Sequence, residues 1–149
     1  CAHCKTATST VKDLVKKYPK QVKLTYKHFP LKGHPMAHPA AIAAEAAGAQ
    51  GKYWEMHRAL FSTQNFLSDK LILGHAKAVG LNLKKFEKDL INKKIISKVE
   101  SSTAEAKKLG LEGTPSFFFN GRPYNLGLDI SSLELRLNME LARPGASCS

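Results

Sequence analysis

Val11, Leu14, Val15 and Tyr18 recur at spacings of three and four, which puts one apolar face on a helix from about Ala2 to Tyr18, closed near Pro19. The pattern then switches to alternation. Val22, Leu24 and Tyr26 interleave with Lys23, Thr25 and Lys27, the signature of a half-exposed edge strand over residues 22–28. Pro30 and Pro35 mark a turn-rich loop. From about Pro39 to Ser102 the reading is helical. Pro39 suits a first helical position ahead of an alanine-rich run that carries Glu45 and is broken by Gly48 and Gly51. Tyr53, Met56, His57, Leu60 and Phe61 line the face of a second helix. Ser68 and Asn82 are N-cap candidates for two more, and a further helix from about Lys93 to Leu109 is ended by Gly110.

After Pro115 the texture changes again. Ser116 to Phe119 reads as a buried strand, Asn120-Gly121 as a hairpin turn and Pro123-Tyr124-Asn125 as a return strand. Ser131 with Glu134 has the spacing of a capping box for a last helix to about Leu141, and Arg143-Pro144-Gly145 closes it. The tail from Ala146 to Ser149 reads as loose. The order is helix, strand, helical block, hairpin, helix. A βαβ unit would need one more strand ahead of the first helix.

At 149 residues the chain is long enough for one domain with a real core. No apolar run approaches the roughly 18 residues of a membrane helix. The chain opens on Cys rather than Met, as a processed or excised piece would. Lys and Arg number 23 against 12 Asp and Glu, for a net charge of +11. Such a balance admits nucleic acid or an anionic membrane surface. The lysines are spread along helices without an aromatic platform, so a solvated surface and no nucleic-acid partner are expected.

The chemistry opens the chain. Cys1-Ala2-His3-Cys4 is a C-x-x-C pair, and Cys148 is the only other cysteine. This is too few for a disulfide scaffold and reads as redox or metal chemistry. Thiolates attack disulfides, and Cys1 stands at the start of a helix, where unpaired N–H groups and the dipole favour an anion. His3 adds a donor or a positive charge. As a metal site, the pair could be half of a zinc centre with His34 and His38, but the gap from Cys4 to His34 far exceeds that of a zinc finger, and no metal or other cofactor is expected. His34, His38, His57 and His75 read as polar surface or partly buried residues, and Cys148 as an incidental thiol.

The chain resembles the DsbA-like branch of the thioredoxin superfamily. Cys1-Ala2-His3-Cys4 is similar to the family's redox motif, with Ala2 where proline is usual. His28-Phe29-Pro30-Leu31, His38-Pro39-Ala40-Ala41 and Gln50-Gly51-Lys52-Tyr53-Trp54-Glu55-Met56-His57 resemble the approach to its inserted helical domain. Gly113-Thr114-Pro115-Ser116-Phe117-Phe118-Phe119-Asn120-Gly121 resembles its proline loop and hairpin.

The resemblance implies a thioredoxin-like α/β fold over residues 1–149, with 1–30 and 109–145 as the thioredoxin-like part and 36–108 as the helical insertion. The strand that normally precedes the C-x-x-C is lacking. By resemblance it would lie between residues 22–28 and 116–119, so a fragment of a longer chain or a strand-exchanged dimer is expected. The resemblance also implies a cis Pro115, with Thr114 presenting backbone to a substrate strand. Catalysis would rest on Cys1, Cys4 and His3, with Cys1 attacked first and Cys4 more buried.

The implied activity is oxidation of cysteine pairs in exported proteins, in the bacterial periplasm or outside the membrane. The implied partner is a quinone-linked membrane reoxidant of the DsbB or vitamin K epoxide reductase type. The alternatives are a periplasmic reductase or isomerase, and a non-catalytic metal- or partner-binding module on the same scaffold.

Overall fold

The computed structural model describes residues 1–145. Cys148 and the tail from Ala146, read above as incidental and loose, lie outside the described residues. The chain divides into two compact units. One is Cys1–Tyr26 together with the chain from Gly113 on, and the other is Lys27–Glu112.

The first unit is built on α1 (Ala2–Lys17), strands β1 (Phe117–Phe119) and β2 (Arg122–Tyr124), and α7 (Ile130–Leu141). Leu14 on α1, Tyr124 on β2, and Leu133 and Leu137 on α7 form its buried core, with Val11, Tyr18, Val22, Phe117 and Phe119 packed around them. This is the helical face expected from the spacing of Val11, Leu14 and Tyr18. The hairpin is antiparallel, pairing Phe117 with Tyr124 and Phe119 with Arg122. Its turn has positive φ at both Asn120 (49°) and Gly121 (75°), the backbone of the tight hairpin turn that favours Asn-Gly. Phe118 points to solvent between the half-buried Phe117 and Phe119, so the strand has one wet face rather than full burial.

Two expectations are corrected here. Residues 22–28 keep their alternating pattern but join no β-ladder among the described residues, and the sheet has the two strands of the hairpin. A strand is defined by partners on its edges, and the pattern supplies only the faces. The last helix is capped by Asp129, not by a Ser131–Glu134 box. The Asp129 carboxylate accepts from the Ser132 N–H at 2.9 Å and the Ser132 hydroxyl at 2.7 Å. Glu134 is drawn away to α1, where it accepts from the Tyr18 hydroxyl at 2.8 Å and pairs with Lys17.

The second unit holds α2 (Ala37–Gly48), α3 (Tyr53–Ser62), a 3-10 turn (Gln64–Phe66), α4 (Asp69–Ala78), α5 (Leu83–Leu90) and α6 (Lys93–Lys108). The alanine run makes α2 a thin central helix, buried without interruption from Ala41 to Ala47 and packed against α3, α4, α5 and α6. Met56, Leu60, Ile72 and Phe86 close over Ala43, Ala44, Ala46 and Ala47. Pro39 occupies the third position of α2 rather than the first. It still lies within the first turn, where a missing N–H leaves no bond unmade. Ser68 and Asn82 cap α4 and α5 as expected, and Asn92 caps α6.

Burying α2 takes Glu45 with it, at 8 % exposure. Its carboxylate is matched on both oxygens, by His28 Nε2 at 3.0 Å and by Lys98 Nζ at 2.5 Å. Burial raises the Glu45 pKa, but these two partners outweigh it and hold the carboxyl below its ordinary value. His57 is buried in a ring cluster with Tyr53, Trp54 and Phe61.

Candidate thiol site

All five residues singled out in the sequence fall in the first unit. α1 begins at the cysteine pair, with Cys1 as its N-cap and Cys4 three residues on. That is the offset at which N-cap and N3 side chains meet in a capping box, so both sulfurs leave the helix from the same turn. The Cys1 carbonyl accepts the Lys5 N–H at 3.2 Å and anchors the turn. Cys1 makes no side-chain cap and the first turn holds no acidic residue, so the positive end of the helix faces the thiols without a fixed anion. Both cysteines are free thiols and both are half-buried. Ala2 and His3 between them face solvent.

The proline loop meets this turn. The Thr114–Pro115 peptide bond is cis, and the Cys1 thiol donates to the Thr114 carbonyl oxygen at 3.4 Å across 113 residues of sequence. The Ser116 hydroxyl donates to the Gly113 carbonyl at 2.8 Å, closing the loop on itself around the cis bond. β1 follows directly, and its packing on the α1–α7 core fixes where the loop sits.

The chemistry of this contact has a direction. As a thiol, Cys1 satisfies the Thr114 carbonyl. As a thiolate it has no proton to give, and the carbonyl dipole then opposes the charge that the helix N-terminus favours. As half of a disulfide, Cys1 releases the carbonyl altogether, leaving an acceptor free beside the sulfur.

Tyr26 is an additional neighbour that the sequence marked only as a strand position. Tyr26 is 38 % exposed, yet the part of it that is covered, and then the nearby Cys4, raise its phenol above the ordinary value, so Tyr26 stays a neutral hydrogen-bond donor within electrostatic reach of Cys4. The alternation that singled out Val22, Leu24 and Tyr26 identified a shared face but gave no sign of what the face meets. In the second unit, His34 and His38 are exposed and His75 is bonded to the Thr63 hydroxyl at 2.8 Å. Among the described residues no three His, Cys, Asp or Glu side chains gather in a metal-ligating cluster.

Comparison with known proteins gives a consistent result. The DSBA-like thioredoxin domain family matches residues 1–137. A solved thioredoxin-like oxidoreductase from Silicibacter pomeroyi superposes with a TM-score of 0.82 at 30% identity, covering 97% of this chain and 82% of that one. The thiol-disulfide exchange protein alpha-DsbA2 from Wolbachia pipientis superposes with the same TM-score at 25% identity, over 93% of this chain and 75% of that one. Among curated proteins, a Na(+)/H(+) antiporter NhaA 3 from Salinispora tropica is 36% identical over 131 residues, and an NhaA 1 from Salinispora arenicola is 33% identical over 143. The match takes up 85% and 95% of this chain but spans only about a fifth of those relatives' length, 20% and 22%.

Proposed function

Because the chain belongs to the family of DSBA-like thioredoxin domains, we propose that it oxidises cysteine pairs in exported proteins through a Cys1–Cys4 disulfide. The observation that carries this reading is the meeting of the Cys1 sulfur, at the N-terminus of α1, with the carbonyl preceding a cis proline.

The exchange runs in two displacements. A substrate thiolate attacks Cys1 Sγ of the oxidised pair, the Cys1–Cys4 bond breaks, and Cys4 leaves as a thiolate that takes up a proton. A second substrate thiolate then attacks the substrate sulfur of the mixed disulfide, and Cys1 leaves. The substrate loses two electrons to form its disulfide, and the Cys1–Cys4 pair gains them. In the oxidised protein the Thr114 carbonyl is free of the Cys1 proton. It can accept a backbone N–H from a substrate strand laid beside Pro115, a contact that reads main chain and tolerates many sequences.

His3 lies between the two cysteines in sequence and is exposed, free to offer a hydrogen-bond donor to a leaving thiolate. Anything that stabilises the Cys1 thiolate stabilises the reduced form and makes the disulfide a stronger oxidant. Such chemistry belongs where disulfides persist, outside the cytoplasm, with a quinone-linked membrane protein of the DsbB or vitamin K epoxide reductase type to reoxidise the pair. No described helix is long and apolar enough to cross a membrane, so the antiport named for the longer relatives is not assigned to these residues.

The test is the equilibrium reduction potential of Cys1–Cys4 in glutathione buffers, with Cys148→Ser to remove the third thiol. A value above about −180 mV supports a disulfide donor. A value near the roughly −270 mV of thioredoxin reverses the direction and makes the chain a reductase. Failure to form a Cys1–Cys4 disulfide at all removes the redox reading.

A further inference from the structure

The turn between α5 and α6 carries a surface that the thiol chemistry does not use. Ile91, the C-cap of α5, is 78 % exposed, more than any other large apolar residue among the described residues. It is held there firmly. The Ile91 N–H donates to the Lys88 carbonyl, the Asn92 N–H donates to the Asp89 carbonyl at 3.1 Å, and the Asn92 side chain caps α6 by accepting from the Lys94 N–H at 2.9 Å.

Lysines flank this tip along the chain. Lys84 and Lys88 lie one turn apart on the outward face of α5, Ile91 follows three residues later, and Lys93 and Lys94 open α6. All four lysines are exposed, and among the described residues none of them is in an ion pair. Glu87 is the one exposed acid of α5. Asp89 is turned inward and held by Lys85 at 2.6 Å. Like charges one turn apart weaken a helix slightly, so Lys84 and Lys88 are not explained by the stability of α5.

We propose that this turn docks on an anionic lipid bilayer, with Ile91 entering the headgroup layer and Lys84, Lys88, Lys93 and Lys94 meeting lipid phosphates. The combination decides the occupant. An exposed aliphatic tip flanked on both sides in sequence by unpaired lysines matches an interface whose surface is negative and whose interior is apolar. A nucleic-acid backbone would take the lysines and leave Ile91 in water, and its readers favour Arg and aromatic platforms. The net charge of +11 adds long-range attraction to the same partner.

Flotation of the full chain with vesicles tests this. Vesicles of phosphatidylcholine with about a third phosphatidylglycerol should retain the protein at low salt, while pure phosphatidylcholine should not. Lys93→Ala with Lys94→Ala should weaken binding by about 25-fold, at roughly fivefold for each lysine. Ile91→Asn should weaken it several-fold while leaving the salt dependence intact, and Glu87→Lys should strengthen it. All these positions are exposed, so the variants should keep the circular dichroism of the parent. Equal binding to neutral vesicles, no binding to either kind, or anionic binding unchanged in the Ile91 and lysine variants overturns the proposal. Tighter binding to a DNA duplex than to vesicles, indifferent to Ile91→Asn, would also overturn it and give the lysines to nucleic acid.

Discussion

Cys1 and Cys4 share one turn and similar exposure, so the proposed order of attack rests on position at the helix start and contact with Thr114. If Cys1 is the sulfur a substrate reaches, Cys4→Ser should trap a mixed disulfide on Cys1 that accumulates over minutes, visible by intact mass. Cys1→Ser should form at least about a hundredfold less, since the remaining thiol lacks the N-cap position. Equal trapping by both variants would remove the assignment.

His57 gives a second residue-scale prediction. Burial, then the charges of His28 and Arg58, lower its pKa from 6.5 to about 4. Below about pH 6.5 the unfolded imidazole binds a proton that the folded one refuses, so stability is full above that pH and falls toward pH 4. The loss should approach about 3 kcal/mol, at roughly 1.4 kcal/mol per pH unit. Urea midpoints between pH 7 and 4 should fall in the parent and fall far less in His57→Leu. Glu45 acts in a different window. Its stabilisation holds above its ordinary carboxyl range and is lost only as pH falls further through its depressed folded value.

The cysteine pair was legible as a short local motif, and the cis Thr114–Pro115 bond through the family resemblance. The Glu45 network was not. Its partners lie 17 and 53 residues away in sequence, and the only sign was one carboxylate in an alanine run.

At the scale of elements, period and caps carried the reading as far as local rules extend. Apolar residues at spacings of three and four found α1, the Ser68 and Asn82 caps found α4 and α5, and Asn120-Gly121 found the hairpin. Two failures came from competition that only the folded chain reveals. The alternation of residues 22–28 defines faces but cannot supply a neighbouring edge. Ser131 and Glu134 have capping-box spacing, yet Tyr18 and Lys17 claim Glu134, and Asp129 takes the cap.

Gly127 is part of that outcome. A Cβ there would come within 2.6 Å of the Asp129 carboxylate, and the Gly127 carbonyl also accepts the Tyr124 hydroxyl at 2.5 Å. Asp129→Ala should therefore lower the melting temperature by about 2–4 °C, whereas Ser131→Ala should leave it unchanged. A larger effect of Ser131→Ala in thermal melts would restore the capping box.

For the whole molecule, the net charge predicts which thiols should arrive fastest. With +11 and a pI near 9.7, the chain attracts anions over a distance set by salt, about 30 Å at 0.01 M and about 8 Å at 0.15 M. The first displacement is between a thiolate and the Cys1 sulfur, so the relevant charge is that of the attacking anion. The glutathione thiolate is doubly negative, and the cysteamine thiolate, with its ammonium, is neutral overall. Stopped-flow reduction of the oxidised pair should slow several-fold for glutathione between about 0.01 and 0.3 M salt and change little for cysteamine. The comparison separates steering from chemistry, because both reagents attack the same bond and leave the same Cys4 thiolate. Equal salt dependence for the two would mean that the charge is too remote from Cys1 to act.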